Sequence, residues 1–131
     1  MTLKDFFKGD RFAARAGIEI LECGEGYARL SMPVTADHLN ASGMCQGGAI
    51  FTLADLAFAV AVNSHEQLTV SVSANITFVS NVSGGMLYAE AREVLNHHKL
   101  PYAEVRITAD DGSLCAILTS TGYRKRAALP L

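Results

Sequence analysis

Sixteen consecutive residues, Gly47 to Val62 (GGAIFTLADLAFAVAV), carry a single charge, Asp55, set in the middle of the run. An apolar stretch of this length, rich in Ala, Leu and Phe, predicts a helix buried all round rather than an amphipathic surface helix. A carboxylate inside such a helix loses hydration that hydrogen bonds or a partner charge must replace. Phe51, Thr52, Phe58 and Ala59 stand one turn away, so no cation on the same helix can pair with it. Asp55 is then either a protonated or hydroxyl-bonded group that fixes the helix register, or a group held there for use.

The 131 residues predict one domain over 1–131, able to bury roughly two-thirds of its unfolded surface. Half the residues are hydrophobic and 18% are charged, the balance of an ordered globular chain. A net charge of −2 and the lack of any RNA- or DNA-binding signature give no reason to expect nucleic acid. The basic run Arg124, Lys125 and Arg126 reads as a solvated tail in preference to a phosphate-contacting patch. Cys23, Cys45 and Cys115 are odd in number and form no C-x-x-C pair, and the opening MTLKDFFKGDRF is charged and amphipathic, unlike a secretory signal. Reduced thiols in a cytoplasmic protein are expected. The apolar run is too short and too interrupted for a membrane span, so no membrane partner is expected.

Leu3, Phe6, Phe7 and Ala13 or Ala14 recur at helical spacing over residues 3 to 15, with Thr2 and Asp5 as a cap and Gly17 as a stop. Ile18 to Cys23 and Gly26 to Met32 predict a hairpin turning at Gly24-Glu25-Gly26. A polar loop, Pro33 to Gln46, leads into the helix of 47 to about 63. Leu68 to Val79 alternates, with Leu68, Val70, Val72, Ala74, Ile76 and Phe78 on one face and Thr69, Ser71, Ser73, Asn75 and Thr77 on the other. Strands follow at Met86 to Leu95, Pro101 to Ala109 and, past the tight turn Asp111-Gly112, Ser113 to Tyr123, an antiparallel meander of three. One sheet covers one side of a helix that is apolar on all sides. A partner subunit is the economical second cover, so an obligate homodimer is predicted, with a dimer of dimers open.

Gly47-Gly48 at the helix start leaves backbone N–H groups unencumbered at the positive end of the dipole, which suits a developing oxyanion. The plainer reading is that two glycines permit a tight turn and close packing. Asp55 lies eight residues beyond Gly47, ~12 Å along the axis at 1.5 Å per residue. A nucleophile and an oxyanion donor must both come within about 3 Å of the reacting group, so one helix cannot supply both. Two copies can.

The run from Asn40 through Gln46-Gly47-Gly48 to Leu53-Ala54-Asp55 resembles the signature of hotdog-fold acyl-CoA thioesterases, most closely the phenylacetate-degradation (PaaI-like) branch. That branch has an Asn, then His-Gly-Gly, then Leu-Ala-Asp. The later SVSANITF, residues 71 to 78, is similar to the same branch's strand after the helix. The resemblance implies an α+β hotdog fold, a long central helix wrapped by a curved antiparallel sheet, and hydrolysis of a small aryl or short or medium acyl-CoA across a dimer interface. It implies that Asp55 is nucleophile or general base, that the Gly47 amide polarises the thioester carbonyl, and that Asn40 stands beside the water or carbonyl. Ser71 would orient the carboxylate across the interface, which strict alternation forbids unless the strand bends or bulges there or its start lies at the sheet rim. Gln46 replaces the family's usual His and carries no titratable proton. A thiol ionises near pH ~8.5, so the leaving group needs little acid help.

Gly48, Phe51, Phe58 and Ser73, with Leu56, are the remaining candidates for contact with the substrate, although such apolar positions are commonly core. Lys99, Arg92 and Arg124 are candidate cations for the CoA phosphates. No cofactor is expected beyond the CoA carried by the substrate, and no metal. His97-His98 with Asp110-Asp111 lacks ligand spacing, since adjacent histidines on an extended chain point apart. His38 and His65 read as surface or capping residues. Cys45 is a rival nucleophile beside a helix start that would lower its pKa, but no base adjoins it. An alternative of another class is a non-catalytic acyl-CoA-binding module, sensor or carrier, which Gln46 keeps open; a dehydratase of the same fold would need the missing His.

Overall fold

The computed structural model describes the chain from Met1 to Leu131. It begins with two short helices, α1 (Leu3–Phe7) and α2 (Arg11–Arg15), where apolar spacing predicts one. Thr2 and Asp5 cap α1 reciprocally, the Asp5 N–H donating to Thr2 Oγ1 and the Thr2 N–H to Asp5 Oδ2, both at 3.1 Å. Asp10 then caps α2 by accepting from the Ala13 N–H at 3.0 Å. An N-cap takes extended backbone, so this second cap, directly after Gly9, divides the helix.

Strands β1 (Glu19–Gly24) and β2 (Tyr27–Pro33) form the expected hairpin, with Gly26 at φ +65° in the turn. Their register slips between Ile20 and Glu22, leaving Leu21 as an extra residue. The central helix α3 (Gly47–Val62) follows and ends on Asn63. Buried Asn63 donates from Nδ2 to the Ala59 and Thr69 carbonyls and accepts the Thr69 N–H at 2.9 Å. That amide both closes the helix and ties it to the next strand.

The remaining strands are β3 (Gln67–Phe78), β4 (Met86–Leu95), β5 (Tyr102–Ala109) and β6 (Leu114–Ala128). β4, β5 and β6 form the meander, and Gly112 takes φ +83° in the turn before β6. β3 docks antiparallel on β6 at the far edge, so the order is β1-β2-β4-β5-β6-β3. β6 continues five residues beyond Tyr123, to Ala128, so the basic run 124–126 is part of the sheet and not a solvated tail.

The sheet packs on one side of α3. Ile50, Leu53, Ala57, Phe58 and Ala61 meet Leu30, Met32, Leu87, Val105, Ile107 and Leu118 in one core. Each such Leu or Phe contributes ~1.5–3 kcal/mol by leaving water. The opposite stripe, Gly48, Phe51, Thr52, Asp55 and Ala59, is half-buried or exposed. The expectation of a helix buried all round therefore holds for one face only, because the single sheet does not reach the other. With the turn that extends it to His65, the helix is a 19-residue run long and apolar enough by composition to cross a bilayer; here it is the core helix.

Candidate active site

Gln46 is the N-cap of α3. Its backbone N–H donates to the His38 carbonyl at 2.8 Å, and its Oε1 accepts from the Ala49 N–H at 3.2 Å. The Gln46 carbonyl takes the Ala49 and Ile50 N–H groups, so those of Gly47 and Gly48 have no acceptor within the chain. Both glycines are set by close approach. A Cβ on Gly48 would stand 2.6 Å from Gln46 Oε1, and one on Gly47 would stand 3.2 Å from the Phe78 ring. Phe78, at the end of β3, thus shields the helix start, a role alternation alone does not reveal.

The Asn40 side chain organises the preceding loop. Its Oδ1 accepts from the Ser42 N–H, Ser42 Oγ and the Met44 N–H at 3.0, 2.8 and 3.1 Å. With the carbonyl oxygen occupied, the Nδ2 amide of this exposed residue is left free to donate.

Asp55 lies on the open stripe of α3 and accepts no hydrogen bond from this chain. Partial burial raises its pKa above the ordinary 3.8, and the like charge of Asp10 adds to the rise. No cation offsets it. The carboxyl is half-exposed and not sealed in the core.

Ser71 turns inward because β3 bulges. The register with β6 shifts between Ser71 and Ser73, with Val72 as the extra residue. Ser71 therefore pairs with Gly122 on the helix side, and its Oγ lies 3.0 Å from Ser120 Oγ. Ser120 is buried and gives its own proton to the Ser73 carbonyl at 2.9 Å, so Ser71 donates to Ser120. Past the bulge Ser73 pairs with Thr121 on the outer face, away from the candidate site. Phe78 ends β3 seven residues after Ser71, roughly 20 Å along the strand. The chain does not bring its own Ser71 or Asp55 to its own Gly47.

A crevice of about 440 Å³ opens beside the helix start, lined by Phe12, Arg15, Leu39, Gln46, Gly48 and Thr52 among others. Phe12 and Leu39 were not legible as site residues, since neither belongs to the motif. Phe51 is half-buried on the open stripe, whereas Phe58 is fully buried in the core and Leu56 lines a separate cavity beside Asp10.

Among the candidate cations, Lys99 is exposed, with Nζ 5.9 Å from the centre of the Tyr123 ring. Arg92 is paired with Glu90 at 3.1 Å and lies over Tyr27. Arg124 is buried, donating from Nη1 to Asn96 Oδ1 and the His97 carbonyl, and so is withdrawn from solvent phosphates. The Cys45 thiol is buried, and burial pushes its pKa up, overriding the expected lowering by the helix. His97 and His98 lie in a turn, not an extended segment, and their rings stack with centres 4.3 Å apart. His38 bridges the Thr35 and Ala16 backbones, and His65 bonds Glu93 at 2.8 Å.

Comparison with known proteins agrees with this architecture. The thioesterase superfamily profile matches residues 42–116. A protein of Archaeoglobus fulgidus provisionally named an esterase is 38% identical over 130 residues, covering 98% of this chain and 84% of its own. Acyl-coenzyme A thioesterase PaaI of Escherichia coli K12 is 39% identical over 87 residues, 66% of this chain and 62% of its own. The solved E. coli PaaI protein of the phenylacetic acid degradation operon superposes with a TM-score of 0.91 at 28% identity, over 98% of this chain and 99% of that one. A hypothetical thioesterase protein of Streptococcus pneumoniae TIGR4 solved with coenzyme A shares the fold at a TM-score of 0.87 and 23% identity, over 98% of this chain and 99% of its own. The chain belongs to the thioesterase superfamily, as a PaaI-like thioester hydrolase of hotdog fold.

Proposed function

We propose that two copies of the chain form an acyl-CoA thioesterase, each active site being shared between them. The open stripe of α3 carries both halves of the chemistry ~12 Å apart, two unpaired N–H groups at Gly47 and Gly48 and the carboxyl of Asp55. Packing two such stripes with the helices reversed sets each Asp55 against the other's helix start. It also covers Phe51 and Ala59. The unpaired N–H groups of Gly47 and Gly48 are the observation that carries this reading, because they stand free and accessible at the positive end of the helix, where a thioester oxygen can accept them.

In that arrangement the carbonyl oxygen accepts from Gly47 and Gly48, and Asn40 Nδ2 donates beside it. The acyl carbon is attacked by the Asp55 carboxylate or by a water whose proton Asp55 takes. The C–S bond breaks and CoA leaves as thiolate. Through the carboxylate route an acyl anhydride is then hydrolysed; by either route the products are a carboxylic acid and CoA. Ser71, whose proton rests on Ser120 in the single chain, rotates its hydroxyl to donate to the carboxylate instead. Gln46 donates no proton, and its occupied Oε1 leaves only Nε2 to orient a substrate oxygen. The small aryl, short or medium acyl group lies in the crevice of Phe12 and Leu39, continued by Phe51 from the stripe.

Thiol release by the Asp55→Asn variant, measured on aryl and aliphatic acyl-CoAs, tests the assignment. The expected result is a dimer that folds normally and hydrolyses at least ~10²-fold more slowly, the scale for losing a positioned base or nucleophile. An unchanged rate overturns it.

A further inference from the structure

Arg124 carries more buried charge than its place in the fold explains. Its side chain and that of Glu93 are each 6% exposed, with Nη2 and Oε2 3.9 Å apart. Nε and Nη2 of Arg124 and Oε2 of Glu93 have no hydrogen-bond partner. A buried ion pair of such loose geometry adds little stability over an apolar side chain of the same volume. What Arg124 does hold is the turn between β4 and β5. Nη1 reaches Asn96 Oδ1 at 2.7 Å and the His97 carbonyl at 3.1 Å, and its backbone N–H reaches the Lys99 carbonyl at 2.8 Å. Within the turn, His97 Nδ1 accepts the Lys99 and Leu100 N–H groups. The Gly122 N–H bonds the Pro101 carbonyl at 2.8 Å, fastening the other end.

The outcome is a fixed position for Lys99. Its ammonium stands over Tyr123 with no carboxylate in ion-pair range, and Lys125 emerges two residues further along the same face. Gly122, which pairs with Ser71 on one side, bonds this turn on the other. Measured along the sheet, the turn lies two strand spacings, ~10 Å, from the candidate hydroxyl, with Tyr123 and Lys99 on the outer face, so the extended coenzyme would reach them around the rim of the sheet. We propose that Arg124 is a positioning residue for the coenzyme: from within the sheet it braces the 96–101 turn so that Lys99, over Tyr123, meets a phosphate of CoA. The proposal rests on the acyl-CoA reading above and adds the group that holds the phosphate cation in place.

The test compares acyl-CoA with the matching acyl-pantetheine, which lacks the phosphates. In Arg124→Met and in Lys99→Ala the ratio of the two kcat/KM values is expected to fall about tenfold toward acyl-pantetheine, through KM for acyl-CoA. The double variant is expected to fall no further than Lys99→Ala alone, since both act through one contact. Asn96→Ala, which removes only the surface acceptor, gives the same direction by about threefold should Arg124→Met not fold. An unchanged ratio in folded variants, or losses that multiply in the double variant, overturns the proposal. If the unmodified chain releases no thiol from either compound, the hydrolytic reading fails by itself. Calorimetric binding of CoA to the same variants then decides the role of Arg124, with a tenfold weaker Kd expected and an equal one contradicting it.

Discussion

At one edge of the sheet, β1 is six residues long, carries Glu19 and Glu22, and is kinked at the extra residue Leu21. At the other edge β3 runs for twelve residues without a charge, a proline or a glycine. Leu21 is 40% exposed and Val72, its counterpart in the β3 bulge, 58%. Both edges are bulged, so length and charge distinguish them: a long uncharged edge invites pairing with another chain, whereas a short, charged edge discourages it. The open stripe of α3 carries Asp55 and the Gly47-Gly48 start, and Phe78 of β3 packs over that start. The difference between the edges thus separates a border that discourages pairing from one that is open to it, and the proposed dimer would use the second.

The comparison breaks most sharply at the two bulges. Val72→Lys is expected to give a monomer by sedimentation and to lower thioester hydrolysis by ~10²-fold or more, as expected when a positioned catalytic group is lost. Leu21→Lys is expected to leave mass and rate alone. Equal behaviour of the two variants would remove the distinction between the edges. Ser71→Ala sharpens it with a smaller effect, about tenfold in kcat, the scale of one hydrogen bond to a charged group. Its melting temperature should stay close to that of the unaltered chain, because Ser71 is exposed and Ser120 keeps its bond to the Ser73 carbonyl.

The smallest effect concerns pH. In the single chain the Asp55 pKa is raised above 3.8 by burial and by Asp10. Below that pH the carboxyl is protonated folded and unfolded, so it costs nothing. As pH rises through the raised value the unfolded chain ionises first and native stability falls. In the monomeric Val72→Lys background, Asp55→Asn should therefore melt a few degrees higher at pH 7, with the gap closing toward pH 4. In the proposed dimer the positive helix end would offset the cost and the gap is expected to narrow. Thermal melts across that range check the sign.

Much of the fold was legible because its signals are local. Apolar length announces α3, Gly26 and Asp111-Gly112 mark turns, and Thr2 with Asp5 writes a cap. The misreadings arise where a single residue resets a period. Asp10 is a second cap that apolar spacing does not register, so the spacing of two helices matches that of one. Val72 flips the alternation of β3, so Ser71 read as outward and Ser73 shared its face. Arg124 looked solvated by its charge, yet the inward series Ala116, Leu118, Ser120, Gly122 continues to it. In the candidate site, Asp55, Gly47, Asn40 and Gln46 were visible as a motif. Phe78, Ser120, Phe12 and Leu39 were not, because they come near it only through pairing and packing between distant segments.

The extra residue in β3 has a consequence for how this molecule can change. Replacing Val72 alters one side chain, but deleting it would rotate everything upstream in the strand by half a turn and turn the Ser71 hydroxyl to the outer face, away from Ser120. The fold therefore constrains the length of the stretch from Thr69 to Ala74 more than its composition. In descendants of this chain, that stretch should accept new letters freely and gaps not at all.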